Sequence, residues 1–181
     1  MIYKTLDGAT GAYGHGDYTG YLPHGKRPGK WLPKTKPVLC ESGYHGCRDL
    51  TEVLDHFGPD LYEIEARGAC DSGDDKAAWE QIRLLRRVPE WSEHNLRLFA
   101  VDCVRLAVNR YAQKDQRELL HACLDVSVAY LEGFSDATAY YAAARAAAYG
   151  AADAAARADQ AALLARYLAG EQGPFVEEEA T

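Results

Sequence analysis

Eight consecutive residues, Cys40-Glu41-Ser42-Gly43-Tyr44-His45-Gly46-Cys47, carry two thiols, one imidazole and two glycines. Thiolate and imidazole are preferred zinc ligands, and Gly43 and Gly46 would let a loop wrap around an ion. Cys40, His45 and Cys47, with Cys70 beyond them, form a four-donor zinc candidate. His45 and Cys47 point the same way on an extended segment, but Cys-x4-His-x-Cys lacks the close Cys pairs of a zinc knuckle. The competing reading makes Cys40 and Cys47 small buried hydrophobes beside a hydrogen-bonded His45. The same segment also suggests a nucleophile. Cys47 lies two residues from His45 and just before an expected helix N-terminus, whose dipole would lower a thiol pKa. A triad needs a third, orienting group, and no Asn or Asp is marked for that role.

Two further groups carry potential chemistry. Glu63 and Glu65 alternate along an expected strand, either as a working carboxylate pair or as a solvated strand face. Between Leu22 and Pro37 there are five Lys/Arg residues and no acid: Lys26, Arg27, Lys30, Lys34 and Lys36, with Trp31 among them. Cations interleaved with an aromatic ring can hold phosphate and stack a base. The alternative is a solvated loop whose Trp31 packs on the domain. Nucleic acid is a weaker expectation than protein, because the whole chain carries a net charge of −7.

The elements that must position these residues fall into two halves. Residues 1–90 read as a small α+β domain. Ile2 to Thr5 and Pro37 to Cys40 are predicted strands, and the alternation Tyr62, Ile64, Ala66 predicts another from Asp60 to Gly68. Asp49 is a predicted N-cap with Glu52 three residues on, opening a short helix that Gly58-Pro59 stops. Asp74 to Glu80 reads as a helical turn. Gln81 to Val88 suits a strand through Ile82, Leu84 and Val88, or a helix through Arg83, Arg86 and Arg87. Residues 91–170 read as an antiparallel α-helical bundle. Ser92 caps a helix through Leu96, Phe99, Ala100 and Cys103; Asp115 opens a second; Ser135 opens a third that Gly170 ends. Eighteen alanines lie between Asp136 and Ala169, which strongly favours helix. Residues 171–181 read as a flexible acidic tail.

Two resemblances bear on function. Tyr3-Lys4, Gly29-Lys30-Trp31, the run from Cys40 to Cys47 and Leu61 to Gly68 together resemble small phage and actinobacterial domains of unknown function. Leu98 to Cys103 and the run from Ala142 to Ala169 resemble Ala-rich helical immunity proteins, which implies a protein-binding or toxin-neutralising role. Gly43-Tyr44-His45, a short helix and Leu61 to Glu65 are also similar in order to the ADP-ribosyltransferase core. That likeness implies ribose-polarising and acceptor-activating roles for Glu63 and Glu65, though no Ser-x-Ser element and no opening Arg or His accompanies them.

Five cysteines and no apolar run after Met1 predict reduced thiols in the cytoplasm. No charge-free stretch of ~18 apolar residues predicts a membrane span. The expectation is therefore α+β, with a helical bundle following the small domain. The expected function is a non-enzymatic cytoplasmic factor, phage or mobile-element encoded, that binds a host or phage protein as an immunity-like or counter-defence inhibitor. No cofactor is expected unless zinc occupies the Cys/His cluster. The alternatives are an ADP-ribosyltransferase-like or thiol-dependent enzyme acting through His45, Cys47, Glu63 and Glu65, and a zinc-stabilised nucleic-acid-binding module.

Overall fold

The alternation Ile2, Lys4, Leu6 against Tyr3, Thr5, Asp7 makes a strand, β1 (Ile2–Asp7), that turns back at Gly8 into the two-residue β2 (Thr10–Gly11). The computed structural model describes residues 1–11, 16–111 and 154–171. The chain divides into two units, Met1–Ser92 and Glu93–Thr181.

In the first unit three more strands follow, β3 (Tyr44–Gly46), β4 (Asp60–Ser72) and β5 (Ala77–Arg87). All pairings are antiparallel, in the order β2-β1-β4-β5-β3. The sheet curls into a half-barrel. Its two ends approach through a bridge pair, with Tyr3 N donating to Cys47 O at 2.7 Å and Cys47 N to Tyr3 O at 2.8 Å. Register sets the faces. Lys4 opposes Tyr62 and Ile2 opposes Ile64, so Ile2, Lys4 and Leu6 share the concave face with Tyr62 and Ile64. Leu6, Tyr18, Leu32, Ile64, Ile82 and Leu84 are among the buried side chains that fill it.

Two irregularities shape the long β4–β5 hairpin. Glu63 pairs with Arg86 but Ile64 with Leu84, leaving Leu85 as an extra residue in β5. Arg83 and Arg86, three apart, therefore both face outward. At Gly68 (φ +84°), Gly68 and Ala69 together oppose Glu80, whose carboxylate accepts from Ala69 N at 3.0 Å. The strand therefore continues past Gly68 to Ser72, four residues beyond the expected end. The expected helical turn over Asp74–Glu80 is the hairpin turn followed by the start of β5, and Gln81–Val88 is strand as far as Arg87. Pro37–Cys40 is no regular strand; Val38 only bridges back to Ser42.

A strap, residues 29–35, covers the edge of β5 beyond the end of β3. Gly29 N, Leu32 N and Thr35 N donate to Leu84 O, Ile82 O and Glu80 O at 2.8, 3.0 and 3.1 Å. Below the sheet, α1 (Leu50–Val53) is only four residues long. Asp49 caps it, accepting from Glu52 N at 3.1 Å, while the Glu52 carboxylate reaches back to Arg48 N at 2.6 Å. Phe57 stacks on Trp91 at 5.3 Å, and Trp91 Nε1 donates to Gly58 O, so the segment from Val88 to Trp91 closes the first unit.

The expected C-terminal bundle is corrected here. The described residues of the second unit form two helices, α2 (Glu93–Tyr111) and α3 (Ala154–Leu168). They meet through an edge-on contact of Phe99 with Tyr167 and a 2.6 Å hydrogen bond from Tyr167 Oη to the buried Asp102. Among the described residues these two helices make a pair and not a bundle, and alanine propensity specifies helix without specifying a packing partner. Gly170 ends α3 in a left-handed cap (φ +79°), with Gly170 N and Glu171 N donating to Tyr167 O and Arg166 O. The helices expected from Asp115 and Ser135, apart from α3, and the tail after Glu171 lie outside the described residues. Among the described residues no helix is long and apolar enough to cross a membrane.

Candidate functional site

An open cavity of about 530 Å³ lies where β1 and β3 meet, beside the packed core of the half-barrel. Strand β1 brings Lys4 into its wall, β3 brings Tyr44 and His45, and Tyr18, His56 and Lys76 complete much of the rim. Glu41 is the single acid among the described lining residues, against two lysines and two histidines. His56 is already shared with Asp75, 3.0 Å away.

Lys4 is the unusual group. It is 8% exposed, and its Nζ donates to His45 O at 2.6 Å and sits 5.2 Å from the Tyr18 ring centre. An ammonium has three hydrogens to donate. His45 O takes one, and among the described residues no carboxylate pairs with it. Loss of hydration pulls its pKa down to about 8, with Cys47 opposing weakly. Sequence reasoning passed over Lys4 as a site residue. The signal was its parity: it falls between Ile2 and Leu6 on the apolar face of an amphipathic strand.

The structure does bring His45 and Cys47 to this cavity, but neither is poised to react. His45 Nε2 accepts from Cys40 N at 2.9 Å, and the ring also bonds the Gly43 backbone. Burial and the nearby Lys4 and Lys76 charges lower its pKa, so it stays neutral near pH 7. It clips a tight loop in which Cys40 holds φ +63°. Cys47 is 2% exposed, and its thiol is pushed up to about 12, first by burial and then by Glu52 and Asp75. That is the reverse of thiolate activation. The expected dipole assistance fails because α1 has only one turn.

The zinc donor set is dispersed by the same geometry. Cys40 and Cys70 are exposed, Cys70 Sγ sits 3.4 Å from Ser72 Oγ, and the His45 nitrogen that would face a metal is bound to Cys40 N. Among the described residues no group of three or more His, Cys, Asp or Glu could hold a metal ion.

Glu63 and Glu65 lie on the convex face, away from Lys4. Glu63 is gripped by Arg86 through two bonds of 2.8 and 2.5 Å, and Glu65 by Arg83 through bonds of 2.7 and 2.5 Å. This is a ladder of ion pairs across β4 and β5, which leaves the carboxylates committed to structure. Trp31 packs over it, 3.9 Å from the Arg67 guanidinium and 4.9 Å from that of Arg83. Its ring is thus engaged rather than offered to a base. Gln81 locks the arrangement, accepting from Arg67 and donating to Leu32 O at 2.7 Å. Lys34 pairs with Glu80 at 2.9 Å, while Lys26, Arg27, Lys30 and Lys36 are exposed. No protein-family model, curated protein or solved structure matches the chain.

Proposed function

We propose that the first unit is a receptor for a small anionic molecule with an apolar or aromatic body, held in the cavity between β1 and β3. One observation carries this reading. A buried ammonium, Lys4, lines a cavity without an acid partner among the described residues, so two of its hydrogens are left for an occupant. Lys76 adds charge of the same sign, while Tyr18 and Tyr44 add aromatic wall. A cavity of this volume, largely apolar with a few convergent polar groups, has the proportions of a small-molecule site. Phenyl phosphate joins both features in one probe. Titrated calorimetrically at pH 7, it is expected to saturate one site and to bind more tightly than inorganic phosphate or phenol. Lys4→Met should weaken it at least about tenfold, the loss of one buried charge contact. Unchanged affinity in that variant, or no saturable heat, overturns the reading.

Docking of a host or phage protein is a second reading, favoured by the strap. Backbone bonds hold the strap along β5, and Lys30 on it, with Lys26, Arg27 and Lys36 on either side of it, is exposed, a cationic surface suited to an acidic partner. Immunity-like or counter-defence action belongs to this reading. Reversing those four charges to Glu should abolish salt-sensitive capture of a partner; capture that survives the reversal removes the surface from consideration.

A further inference from the structure

We propose that Lys4 binds covalently: its ε-amine condenses with an aldehyde or ketone carried by the anionic ligand, giving an imine in the cavity between β1 and β3. This rests on the cavity being a ligand site and adds the functional group that the ligand bears. Only a primary amine can form an imine, and two line the wall among the described residues, Lys4 and Lys76; Lys76 Nζ lies 4.0 Å from the Asp75 carboxylate, whereas Lys4 has no acid partner there. The Cys47 thiol is buried among acids and keeps its proton, and the His45 ring is bonded on both sides to its own loop. Lys4 lines the cavity and is fixed in place by one hydrogen bond to a main-chain carbonyl, which leaves its nitrogen without a carboxylate partner among the described residues.

Burial supports the same assignment. With its pKa at about 8, roughly a tenth of Lys4 is free amine at pH 7, some three-hundredfold more than for an ordinary lysine. This is the desolvated-lysine route to an amine nucleophile. In the reaction the ammonium first releases a proton to solvent. The nitrogen lone pair then forms a bond to the carbonyl carbon, and the C=O π pair moves to oxygen, which takes up a proton. The resulting carbinolamine loses that oxygen as water, leaving C=N; amine plus carbonyl thus balances imine plus water. Solvent supplies the proton to the departing oxygen through the open side of the cavity, and the Tyr18 ring, 5.2 Å from the Lys4 nitrogen, packs beside the reacting centre. Once formed, a protonated imine retains one N–H, which suits the single acceptor already in place, His45 O. The anionic end of the ligand would then face Lys76, the other lysine of the wall.

The probe is 4-carboxybenzaldehyde, which combines ring, carboxylate and aldehyde. It is added to the full chain at pH 7 with cyanoborohydride, which reduces any imine to a stable secondary amine, and the modified lysine is located by peptide mass mapping. The expected result is labelling at Lys4 at least about tenfold faster than at Lys26, Lys30, Lys34, Lys36 or Lys76, suppressed by excess phenyl phosphate and slowed to the rate of the other lysines in material unfolded in urea at the same pH. Labelling at Lys4 no faster than at the other lysines, Lys76 included, overturns the imine. If phenyl phosphate still binds in that case, the receptor reading stands without it; if phenyl phosphate binding is also absent, both fall. Labelling of Lys4 that phenyl phosphate does not suppress overturns the claim that the carbonyl arrives on the cavity ligand.

Discussion

Lys4→Met will make the protein more stable at pH 7, by roughly 3 kcal/mol, and that gain will vanish above about pH 10.5. The reasoning follows from where the ammonium sits. In the unfolded chain Lys4 titrates near 10.5, and in the folded chain at about 8. Between those values the unfolded state binds the extra proton, so raising the pH favours folding. Below pH 8 both states are protonated and the full penalty of burying the charge is present; above about 10.5 both are neutral and it is gone. Methionine has similar length and no charge to desolvate. Several other groups also titrate in this window. Tyr3, Tyr44 and Tyr62 are raised, and each contributes stability that is lost as the pH passes their unfolded value. The difference between wild type and Lys4→Met cancels them, so urea denaturation of both proteins from pH 7 to pH 11 isolates the lysine. A difference that is flat with pH, or a destabilised variant at pH 7, would show that Lys4 is solvated or paired and would remove the basis of the ligand site. A stabilising substitution that destroys binding is the pattern expected where a fold carries an unfavourable group for function.

Gly29→Ala will release the strap and destabilise the protein by at least about 3 kcal/mol, at the upper end for a single substitution. A β-carbon at this position would lie 1.9 Å from Tyr21 O and 2.9 Å from Tyr21 C, both backbone atoms that no side-chain rotation can move. Relieving the clash means lifting the strap, which breaks its bonds to Leu84, Ile82 and Glu80 and withdraws Leu32, 3% exposed, from the core. Burial of a leucine alone is worth about 1.5–3 kcal/mol. Gly25→Ala is the control, since nothing lies within 4 Å of its would-be β-carbon; its φ of +59° confines the penalty to local strain. The carbonyls of Glu80, Ile82 and Leu84 would be left as an open strand edge. Gly29→Ala should therefore also associate at concentrations where wild type does not, measurable by light scattering. Equal denaturation midpoints for Gly29→Ala and wild type would mean that the strap is dispensable.

Local signals in the sequence were legible where they act through side chains. The alternation of Tyr62, Ile64 and Ala66 marked β4, and Asp49 marked the N-cap of α1. Gly170 marked the end of the last helix because a left-handed cap favours glycine. What was hidden acts through the backbone. The strap pairs by amide and carbonyl groups that every residue has, so Lys30 and Lys34 read only as a charged loop. Arg83 and Arg86 stand three apart, the spacing of a helix face, and only the extra residue Leu85 reconciles that spacing with a strand. Gly68 read as a terminator because glycine ends strands more visibly than it bends them. The site was displaced for a related reason. Cysteine and histidine attract attention by their chemistry, yet here one is silenced by burial and the other spent on a loop. Lys4 looked ordinary until topology folded its strand face inward. The contrast between Glu65 and Lys4 makes the same point, since each stands on an alternating strand and only the curl of the sheet decides which is outside.

The Tyr3–Cys47 pair is the narrowest link in the half-barrel: two hydrogen bonds close a loop whose opposite side is the long β4–β5 ladder. Opening this clasp breaks these two bonds and the Lys4 Nζ–His45 O bond between the same strands, and leaves the β4–β5 ladder intact. The clasp also adjoins Lys4 in sequence on one side and His45 on the other. A guest bridging those residues would fasten the clasp by mass action, and prying it apart would let the guest go. Entry, release and the integrity of the small barrel are in that sense one equilibrium seen from different sides.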